Sequence, residues 1–314
     1  MSKPKIYIDG KEGTTGLQIY ERLGGREDLE LLLIDDEKRK DLTERKKLLN
    51  AADLVFLCLP DAAAVEAVEL IENPGTRVID ASTAHRTAPG WVYGLPELHG
   101  QREKIRDAVR VANPGCYATG FISLVRPLVE EGVLPPGYPL AAHALSGYTG
   151  TGKKAIAQYE DPGRERELDS PRHYAVGLRH KHLPEMTAVC GLSHEPIFSP
   201  IICDYPRGMV VVVPLRLSML SGEQSIESLR DLYSTYYQGE TLVTLRPGDA
   251  PKCGFIGANN LEGKDTLQIF VNGSGEQAVL TARLDNLGKG ASGAAVQNMN
   301  LMLGLEETLG LVLE

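Results

Sequence analysis

The chain has 314 residues, enough for two domains, and an ordinary globular composition with 42% hydrophobic and 24% charged residues. Its formal net charge of −9 argues against a nucleic-acid partner, because phosphate backbones are bound by basic faces. No apolar stretch approaches the ~20 residues that span a bilayer, so we expect no membrane partner. The five cysteines are scattered without short spacings, which argues against a disulfide framework and favours a reducing, cytoplasmic compartment.

Strand and helix patterns alternate over the first part of the chain. Short apolar or β-branched runs predict strands at 5–9, 30–35, 54–60, 77–80 and 109–112. Helical patterns follow at 15–23 and 62–71, and a further helix is predicted to begin near residue 120. This alternation predicts an α/β domain with a doubly wound, Rossmann-like parallel sheet.

The pattern changes after about residue 138. Longer strands are predicted at 139–145, 186–190, 209–217, 266–271 and 277–284. Helices are predicted at 151–159, 225–237 and, at the end of the chain, 291–309, while the charged segment 161–174 is predicted to be a surface loop. These elements indicate a second, α+β domain with a mixed or antiparallel sheet.

Residues 113–120 join the strand at 109–112 to the helix that follows. The turn at Pro114 and Gly115 places Cys116 at or near the helix N-terminus, where unpaired backbone N–H groups and the helix dipole favour an anion. Such a position lowers the pKa of a cysteine from about 8.5 and increases its thiolate fraction. A structural cysteine more often lies within an apolar run, as Cys58 does. We therefore expect Cys116 to be a nucleophile.

The loop between the first strand and the first helix carries a GxxGxxG pattern. Gly10, Gly13 and Gly16 allow a tight turn and a close approach to a pyrophosphate, which the helix N-terminus at Thr14 and Thr15 would hold. The spacing differs from GxGxxG and is a weak signal alone. Its position at the start of a βαβ unit is what favours dinucleotide binding.

The end of the second predicted strand leaves the type of dinucleotide open. Asp35 would suit the ribose 2′-hydroxyl of NAD, because an acid repels a 2′-phosphate. Lys38, Arg39 and Lys40 follow almost at once and could pair with the 2′-phosphate of NADP. The residues by themselves favour neither cofactor.

Two histidines, His180 and His182, stand two positions apart among basic residues. Either could take the proton from Cys116 or protonate a departing oxyanion. A zinc site with mixed ligands would need further cysteines at fixed spacing, so we expect no metal.

Two further segments are candidates for ligand binding. Arg86 follows the fourth strand at the carboxyl edge, where doubly wound sheets bind ligands, and its guanidinium could fork onto a phosphate or carboxylate. Residues 146–153 form a polar, glycine-rich stretch containing Ser146, Gly147 and Gly150 that could close over a cofactor. This stretch lacks the spacing of a Walker A motif.

Taken together, these features suggest one reaction class. A thiolate attacks an acyl phosphate, phosphate leaves, and hydride from a nicotinamide reduces the resulting thioester to an aldehyde. Backbone amides at the start of the helix, including that of Cys116, could hold the oxyanion.

The motifs resemble those of the N-acetyl-γ-glutamyl-phosphate reductase family of arginine biosynthesis, and most closely the shorter of its two types. The resemblance extends over nearly the whole chain. It is carried by residues 10–16, 79–82 with Arg86, 93–98, 113–116, 180–185 and 285–293. The glycine loop alone is shared with aspartate-semialdehyde dehydrogenase and many other proteins.

The resemblance implies NADPH-dependent reduction of N-acetyl-γ-glutamyl phosphate to N-acetylglutamate semialdehyde, and it favours NADP as the cofactor. It implies Cys116 as nucleophile and the pair His180/His182 as acid/base, with His182 favoured because Glu185 could orient it. The implied substrate-binding residues are Arg86, Asn113, Ser146 and Glu185. The implied cofactor-binding residues are Gly10, Gly13, Thr14, Thr15, Gly16, Asp35, Gly147, Gly150 and Asn286.

The resemblance also implies how the chain is organised. Family members are homo-oligomers, so we expect a homodimer or homotetramer. Because their last helix folds back onto the nucleotide domain, we expect an NADP-binding domain of residues 1–115 with 291–314. Residues 116–290 would then form the catalytic and oligomerisation domain.

Two alternatives stay open at this point. A related reductase could act on another acyl phosphate, such as aspartyl or aminoadipyl phosphate. A non-catalytic regulator could bind NADPH, although such a protein has no use for a cysteine at a helix start together with a histidine pair.

Overall fold

A computed structural model describes residues 3–246 and 254–313 of the chain. These residues form two compact units. The first contains the N-terminal part of the chain up to Pro114 together with Ala291–Leu311, and the second contains Gly115–Gly290 and the chain from Val312 onward. Positions 1–2, 247–253 and 314, which the predicted domains include, lie outside the described residues.

The described helices are α1 (Thr14–Leu23), α2 (Leu42–Ala51), α3 (Asp61–Glu69), α4 (Gln101–Asp107), α5 (Cys116–Glu130), α6 (Lys153–Glu160), α7 (Leu183–Cys190), α8 (Ile226–Tyr236) and α9 (Gly293–Met302). In the part of the chain that the structure describes, no helix is both long and apolar enough to cross a membrane.

The first unit contains a parallel sheet. Its described strands are β1 (Lys5–Asp9), β2 (Glu30–Leu32), β3 (Leu54–Leu57), β4 (Arg77–Asp80), β5 (Val92–Tyr93) and β6 (Arg110–Ala112). They are ordered β2-β1-β3-β4-β6-β5, and each neighbouring pair is parallel. The predicted Rossmann-like sheet is therefore confirmed. The strand order reverses between β1 and β3, which is where such sheets bind ligands.

Helices cover both faces of this sheet because successive strand residues point to opposite sides. Ile6 and Ile8 of β1 pack into the core beneath α1, α4 and α9, whereas Tyr7 packs into the core beneath α2 and α3. Most side chains of both cores are buried and aliphatic, and burying a Val, Leu or Ile side chain contributes roughly 1.5–3 kcal/mol. This arrangement makes the sheet doubly wound.

Helix α9 is buried on all sides within the first unit. Each of its residues from Gly293 to Met302 is buried, and it contacts α1, α4 and β4. The prediction of a helix over 291–309 was wrong at its C-terminal end. The chain reverses at Gly304, whose φ of +68° lies in the left-handed region that ends helices.

The second unit contains a mixed sheet, as predicted. Its described strands are β7 (Ala141–Gly147), β8 (Arg172–His173), β9 (Ile197–Cys203), β10 (Met209–Arg216), β11 (Val243–Leu245), β12 (Leu267–Ser274) and β13 (Gln277–Leu284). They are ordered β11-β12-β13-β10-β7-β9-β8, with parallel pairs β11–β12 and β7–β9 and antiparallel pairs elsewhere. Helix α5 packs on β10 and β13, and α7 and α8 pack on α5.

The prediction of a strand at 186–190 was wrong, because these residues belong to α7. The helix has Pro184 in its first turn and ends at Gly191, whose φ of +70° terminates it. The apolar run 186–190 is too short to distinguish a strand from a helix by its pattern alone. The second strand of the first sheet is likewise shorter than predicted, because β2 ends at Leu32 on an exposed edge.

Candidate active site and nucleotide cavity

Cys116 is the first residue of α5, as the strand–turn–helix pattern predicted. Its N-cap residue Gly115 has extended backbone angles and offers no side chain to cap the first turn. The helix dipole and the amides of that turn, which have no side-chain cap from Gly115, therefore favour a negative charge at Cys116. A Cβ atom at Gly290 would lie 2.8 Å from Cβ of Cys116, so the backbone there packs closely against the nucleophile.

Glu185, on α7, holds the peptide immediately before Cys116. Its Oε2 accepts a hydrogen bond of 3.2 Å from the Gly115 amide, and its side chain is only 1% exposed. The hydrogen bond joins the start of α5 to the first turn of α7. Glu185 thus fixes the turn on which Cys116 is displayed.

The two predicted histidines lie next to each other in the second unit. Their ring centroids are 4.7 Å apart, and the rings are nearly perpendicular. Nδ1 of His180 accepts a hydrogen bond of 3.1 Å from the main-chain amide of His182, and Nε2 of His180 lies 3.2 Å from the hydroxyl of Tyr174. His182 is buried at the start of α7, whereas His180 is half-buried.

Two tyrosines complete this cluster, and neither was predicted. The Tyr117 ring makes edge or tilted contacts with His180, His182 and Phe198, at centroid distances of 5.6, 5.8 and 5.2 Å. Burial raises the pKa of Tyr117 and of Tyr174, and the negative charge of Cys116 raises the pKa of both further. Both hydroxyl groups are therefore weaker acids than that of a free tyrosine.

The other described cysteines are in a different environment. Burial raises the pKa of the thiols of Cys58, Cys190 and Cys203. All four described cysteines are thiols and not disulfides. The difference in environment separates Cys116 from three thiols that are protonated at neutral pH.

The glycine-rich stretch after β7 is ordered by Asn286. Oδ1 of Asn286 accepts a hydrogen bond of 2.9 Å from the Gly208 amide, and Nδ2 donates one of 3.1 Å to Oγ1 of Thr149. The Asn286 side chain is 1% exposed, so both ends of its amide are used by the protein. A Cβ at Gly147 would collide with the carbonyl of Pro206.

Two other residues of that stretch, Ser146 and Gly150, differ in exposure. Ser146 is 2% exposed, and its hydroxyl donates a hydrogen bond of 3.1 Å to the carbonyl of Gly147. Gly150 is exposed. Ser146 is therefore enclosed by the protein, whereas Gly150 faces solvent.

In the first unit, the predicted glycine loop joins β1 to α1. Gly10 has a φ of +88°, and a Cβ there would collide with the carbonyl of Cys58 at the end of β3. A Cβ at Gly16 would collide with the Gly10 carbonyl. The N-cap residue is Gly13, so the amides of Thr14 and Thr15 begin α1 without a side-chain cap. This geometry suits a pyrophosphate.

A cavity of about 600 Å³ opens beside this loop. It is lined by residues at the ends of β1 and β2 and on α2 and α3, and its charged lining residues are Asp9, Lys11, Glu12, Asp36, Arg39, Lys40, Arg45 and Glu66. Its size and its place beside the reversal point of the strand order suit the adenosine half of a dinucleotide.

Several of these charges neutralise one another. Arg45 makes a bidentate pair with Asp9, with its closest contact at 2.9 Å, and both side chains are buried. Lys11 Nζ lies 3.9 Å from Asp36. Arg39 and Lys40 form no ion pair with any of the described residues. Asp35, which was predicted to bind the cofactor, is exposed beside Lys38, and its neighbour Asp36 lines the cavity instead.

The loop after β4 holds Arg86 on main-chain carbonyls. Its guanidinium donates to the carbonyls of Asn113 and Ala81, at 3.1 and 3.2 Å. The preceding residue, His85, is fixed by a contact of 2.6 Å between its Nδ1 and the buried carboxylate of Asp80. The loop is therefore a rigid support for Arg86.

The side chain of Asn113 makes hydrogen bonds to two other segments of the first unit. Its Oδ1 accepts a hydrogen bond from Asn298, its Nδ2 donates to the carbonyl of Ala291, and its side chain is 1% exposed. Both ends of the Asn113 amide are occupied by the protein. The side chain of this predicted substrate-binding residue therefore braces the strand that leads into the Cys116 turn.

Comparisons with known proteins agree with this arrangement. Residues 10–108 match the family model described as semialdehyde dehydrogenase, NAD binding domain. Residues 116–286 match that described as semialdehyde dehydrogenase, dimerisation domain.

Curated relatives are similar over nearly their whole length. N-acetyl-gamma-glutamyl-phosphate reductase 2 of Nostoc sp. is 50% identical over 323 residues, covering 99% of this chain and 100% of the relative. N-acetyl-gamma-glutamyl-phosphate reductase of Rhizobium etli is 50% identical over 306 residues, covering 96% of this chain and 99% of the relative.

Solved structures share the fold at much lower identity. Aspartate semialdehyde dehydrogenase II of Vibrio cholerae, complexed with ASA, superposes with a TM-score of 0.72 at 16% identity, covering 97% of this chain and 99% of that chain. The enzyme from Francisella tularensis gives a TM-score of 0.68 at 13% identity. The chain belongs to the semialdehyde dehydrogenases and, among them, to the N-acetyl-gamma-glutamyl-phosphate reductase family.

Proposed function

We propose that this chain catalyses the NADPH-dependent reduction of N-acetyl-γ-glutamyl phosphate to N-acetylglutamate semialdehyde and phosphate. The observation that carries the proposal is Cys116 at the first residue of α5, followed by Tyr117, whose ring contacts both His180 and His182, in a chain 50% identical to reductases of that name. Neither a cysteine at a helix start nor a histidine pair is needed by a protein that only binds a dinucleotide. The regulator alternative therefore leaves the centre of the second unit unexplained.

The reaction begins at Cys116. Its thiolate attacks the acyl carbon of the substrate, the bond from that carbon to the phosphate oxygen breaks, and a thioester with Cys116 remains. Amides at the start of α5, held in place by Glu185 through Gly115, stabilise the oxyanion of the tetrahedral intermediate.

A proton must be taken from the thiol before it attacks, and a proton must be returned to the thiolate that is released when the aldehyde forms. We assign this role to His182, because both ring nitrogens of His180 are already engaged, by the His182 amide and by Tyr174. His180 then serves to hold His182 and Tyr174 in place.

The first unit supplies the nucleotide site. The close approach allowed at Gly10 and Gly16 and the uncapped start of α1 fit a pyrophosphate, and the adjoining cavity fits an adenosine. A bound reduced nicotinamide would supply the hydride that reduces the thioester, and the thiolate of Cys116 would be released as the aldehyde forms. We assign the nucleotide to this unit and the covalent chemistry to the second.

The preference for NADPH over NADH is supported by the charges of the cavity. Arg39 and Lys40 line it, and neither is neutralised by an ion pair with a described residue. A 2′-phosphate is the cofactor group that would pair with them. Asp35 is exposed, with its carboxylate 4.0 Å from Lys38 Nζ, and it is not among the residues that line the cavity.

The substrate carries a phosphate, a carboxylate and an acetamido group. Arg86, held on two carbonyls, is the residue we assign to an anionic group of the substrate. Ser146, a buried hydroxyl near the end of β7, is also assigned to the substrate. The roles of Asn113 and Asn286 are to support these positions, because their amides are occupied.

We further propose a homodimer or homotetramer formed through the second unit, whose family model is that of a dimerisation domain. The side chains of Val212, Pro214 and Val279 alternate with buried residues along β10 and β13 and remain partly exposed. Apolar side chains on an uncovered sheet face suit a self-complementary interface.

A cytoplasmic location is proposed because the described cysteines are thiols, as a reducing compartment requires.

The test measures substrate choice in the reverse direction. The protein is mixed with NADP⁺, phosphate and one of three aldehydes, the semialdehydes of N-acetylglutamate, aspartate or aminoadipate, and formation of NADPH is followed. The proposal predicts phosphate-dependent turnover with the first aldehyde at a kcat/KM at least about a hundredfold above the other two, a difference of ~2.7 kcal/mol. Turnover that favours aspartate semialdehyde would change the assigned substrate and leave the proposed mechanism unchanged.

A further inference from the structure

Tyr117 has an unusual set of neighbours for a residue that the chemistry above does not use. It follows Cys116 directly on α5, and it is 4% exposed. Its ring contacts both His180 and His182 and closes against Phe198. One side chain therefore contacts both histidines and also follows the nucleophile directly in α5.

The hydroxyl of Tyr117 is buried and makes no well-formed hydrogen bond with the described residues. The hydroxyls of Tyr174 and Ser146 lie close enough to influence its pKa, as does the charge of Cys116. A buried donor without a good acceptor is costly, and its presence in a native site calls for an explanation. A negative charge beside it would provide one, because hydrogen bonds to charged acceptors are the strong ones.

We propose that Tyr117 is a positioning residue, whose ring sets the two histidines and whose hydroxyl stabilises the thiolate of Cys116. The inference rests on the proposed role of Cys116 as nucleophile and not on the identity of the acyl phosphate. The other titratable groups around Cys116 and Tyr117 are Tyr174 on the loop after β8, the two histidines before α7, whose rings contact Tyr117, and Glu185, which accepts from the Gly115 amide.

The experiment compares the ionisation of Cys116 in two variants that each lose one buried hydroxyl. Tyr117→Phe keeps the ring and its contacts. Tyr237→Phe is the matched control, because the Tyr237 hydroxyl donates a hydrogen bond of 2.8 Å to the carbonyl of Ser123 on the same helix α5. Both are made with Cys253→Ser, and alkylation of Cys116 by iodoacetamide is measured from about pH 5 to about pH 10, with the label mapped by mass spectrometry.

Tyr117→Phe is expected to raise the midpoint of the alkylation profile by about one pH unit, because the substitution removes the hydroxyl that donates to the Cys116 thiolate. Tyr237→Phe is expected to leave the midpoint where it is in the parent. In turnover, Tyr117→Phe should lower kcat about tenfold at neutral pH, with recovery at alkaline pH and little change in KM for NADP⁺.

An unchanged midpoint in Tyr117→Phe would overturn the proposal, as would an equal shift in Tyr237→Phe, which would indicate a general loosening of α5. Alkylation needs no substrate, so it tests the role of Tyr117 independently of the proposed reductase reaction. If the parent turns over none of the aldehydes but the Tyr117→Phe midpoint still shifts, the inference stands and the proposed reaction falls.

Discussion

The main-chain amide of His182 donates a hydrogen bond of 3.1 Å to Nδ1 of His180, and this bond decides where the proton of His180 lies. Because Nδ1 accepts, neutral His180 carries its proton on Nε2, which donates to the Tyr174 hydroxyl 3.2 Å away. His180 therefore has no ring nitrogen left to act as a base. The acid/base role falls to His182.

The two histidines should respond differently to substitution. His182→Asn is expected to lower kcat by about a hundredfold or more, the contribution of a general acid/base group. His180→Asn, which keeps a polar side chain at the same place, should lower it by only about tenfold through misplacement of its neighbours. Steady-state rates across pH check the ranking, and a larger loss in His180→Asn would show that the roles are exchanged.

Alkylation should select Cys116 from the described thiols. Burial raises the pKa of Cys58, Cys190 and Cys203, so their reactive thiolate forms are scarce at neutral pH and increase only as the pH rises toward those raised values. At about pH 7, iodoacetamide should label Cys116 at least tenfold faster than these three thiols.

Peptide mapping in a Cys253→Ser background measures this selectivity, and addition of the denaturant guanidinium chloride is the control that should equalise the four rates. Faster labelling of any of the three buried thiols in the native protein would contradict the assignment of Cys116 as the activated one.

Cofactor choice should depend on Arg39. Arg39→Gln is expected to raise KM for NADPH about tenfold, since one charge-assisted contact to a 2′-phosphate is lost, and to leave KM for NADH within about twofold. Lys38→Gln is the control, because Lys38 is exposed beside Asp35 outside the cavity lining. Equal effects of Arg39→Gln on both cofactors would place the 2′-phosphate elsewhere.

The glycine loop provides a matched pair of substitutions. Gly10→Ala should destabilise the first unit by roughly 1–3 kcal/mol or more, because φ is +88° and the new Cβ meets the Cys58 carbonyl. Gly13→Ala should be tolerated, because its φ is −69° and its Cβ would lie 3.4 Å from the Gly10 carbonyl oxygen and 3.5 Å from that of Cys58.

Thermal unfolding and NADPH binding by fluorescence measure both effects in the same samples. A Gly10→Ala protein as stable as the parent would show that the loop relaxes freely, and would remove this argument for a rigid pyrophosphate site.

Glu185 should matter for the turn that carries Cys116. Glu185→Ala removes the acceptor of the buried Gly115 amide and should cost about 1–3 kcal/mol of stability. Glu185→Gln keeps a carbonyl oxygen as acceptor and should recover most of that loss. Denaturant unfolding of the two variants measures the difference, and equal stability of the two would show that the hydrogen bond contributes little.

The fold could be predicted from the sequence where a local pattern is compatible with only one type of secondary structure. The alternation of short apolar strands with helices identified the parallel sheet, and the turn at Pro114 and Gly115 placed Cys116 at the start of α5. The prediction failed where two patterns compete. Strand β9 was missed because Pro200 interrupts its apolar run, and α2 was missed because its mixed charges resemble a solvated surface.

The candidate site was only partly predictable for a different reason. Cys116, His180 and His182 carry recognisable local motifs, whereas Tyr174 lies in a segment whose charges predicted a plain surface loop. Only the fold brings its hydroxyl to His180. Arg45 likewise has no motif, and its pairing with Asp9 depends on the packing of α2 beside β1.

The reverse reaction, measured for the parent protein and for Cys116→Ser, tests most directly whether the chain is a reductase with Cys116 as its nucleophile. With N-acetylglutamate semialdehyde, NADP⁺ and phosphate, the parent should form NADPH at a rate that rises with phosphate concentration. Cys116→Ser should fold and bind NADPH like the parent and lose at least about a thousandfold of this rate. Phosphate-dependent turnover that survives in Cys116→Ser would contradict the assignment of Cys116 as the nucleophile.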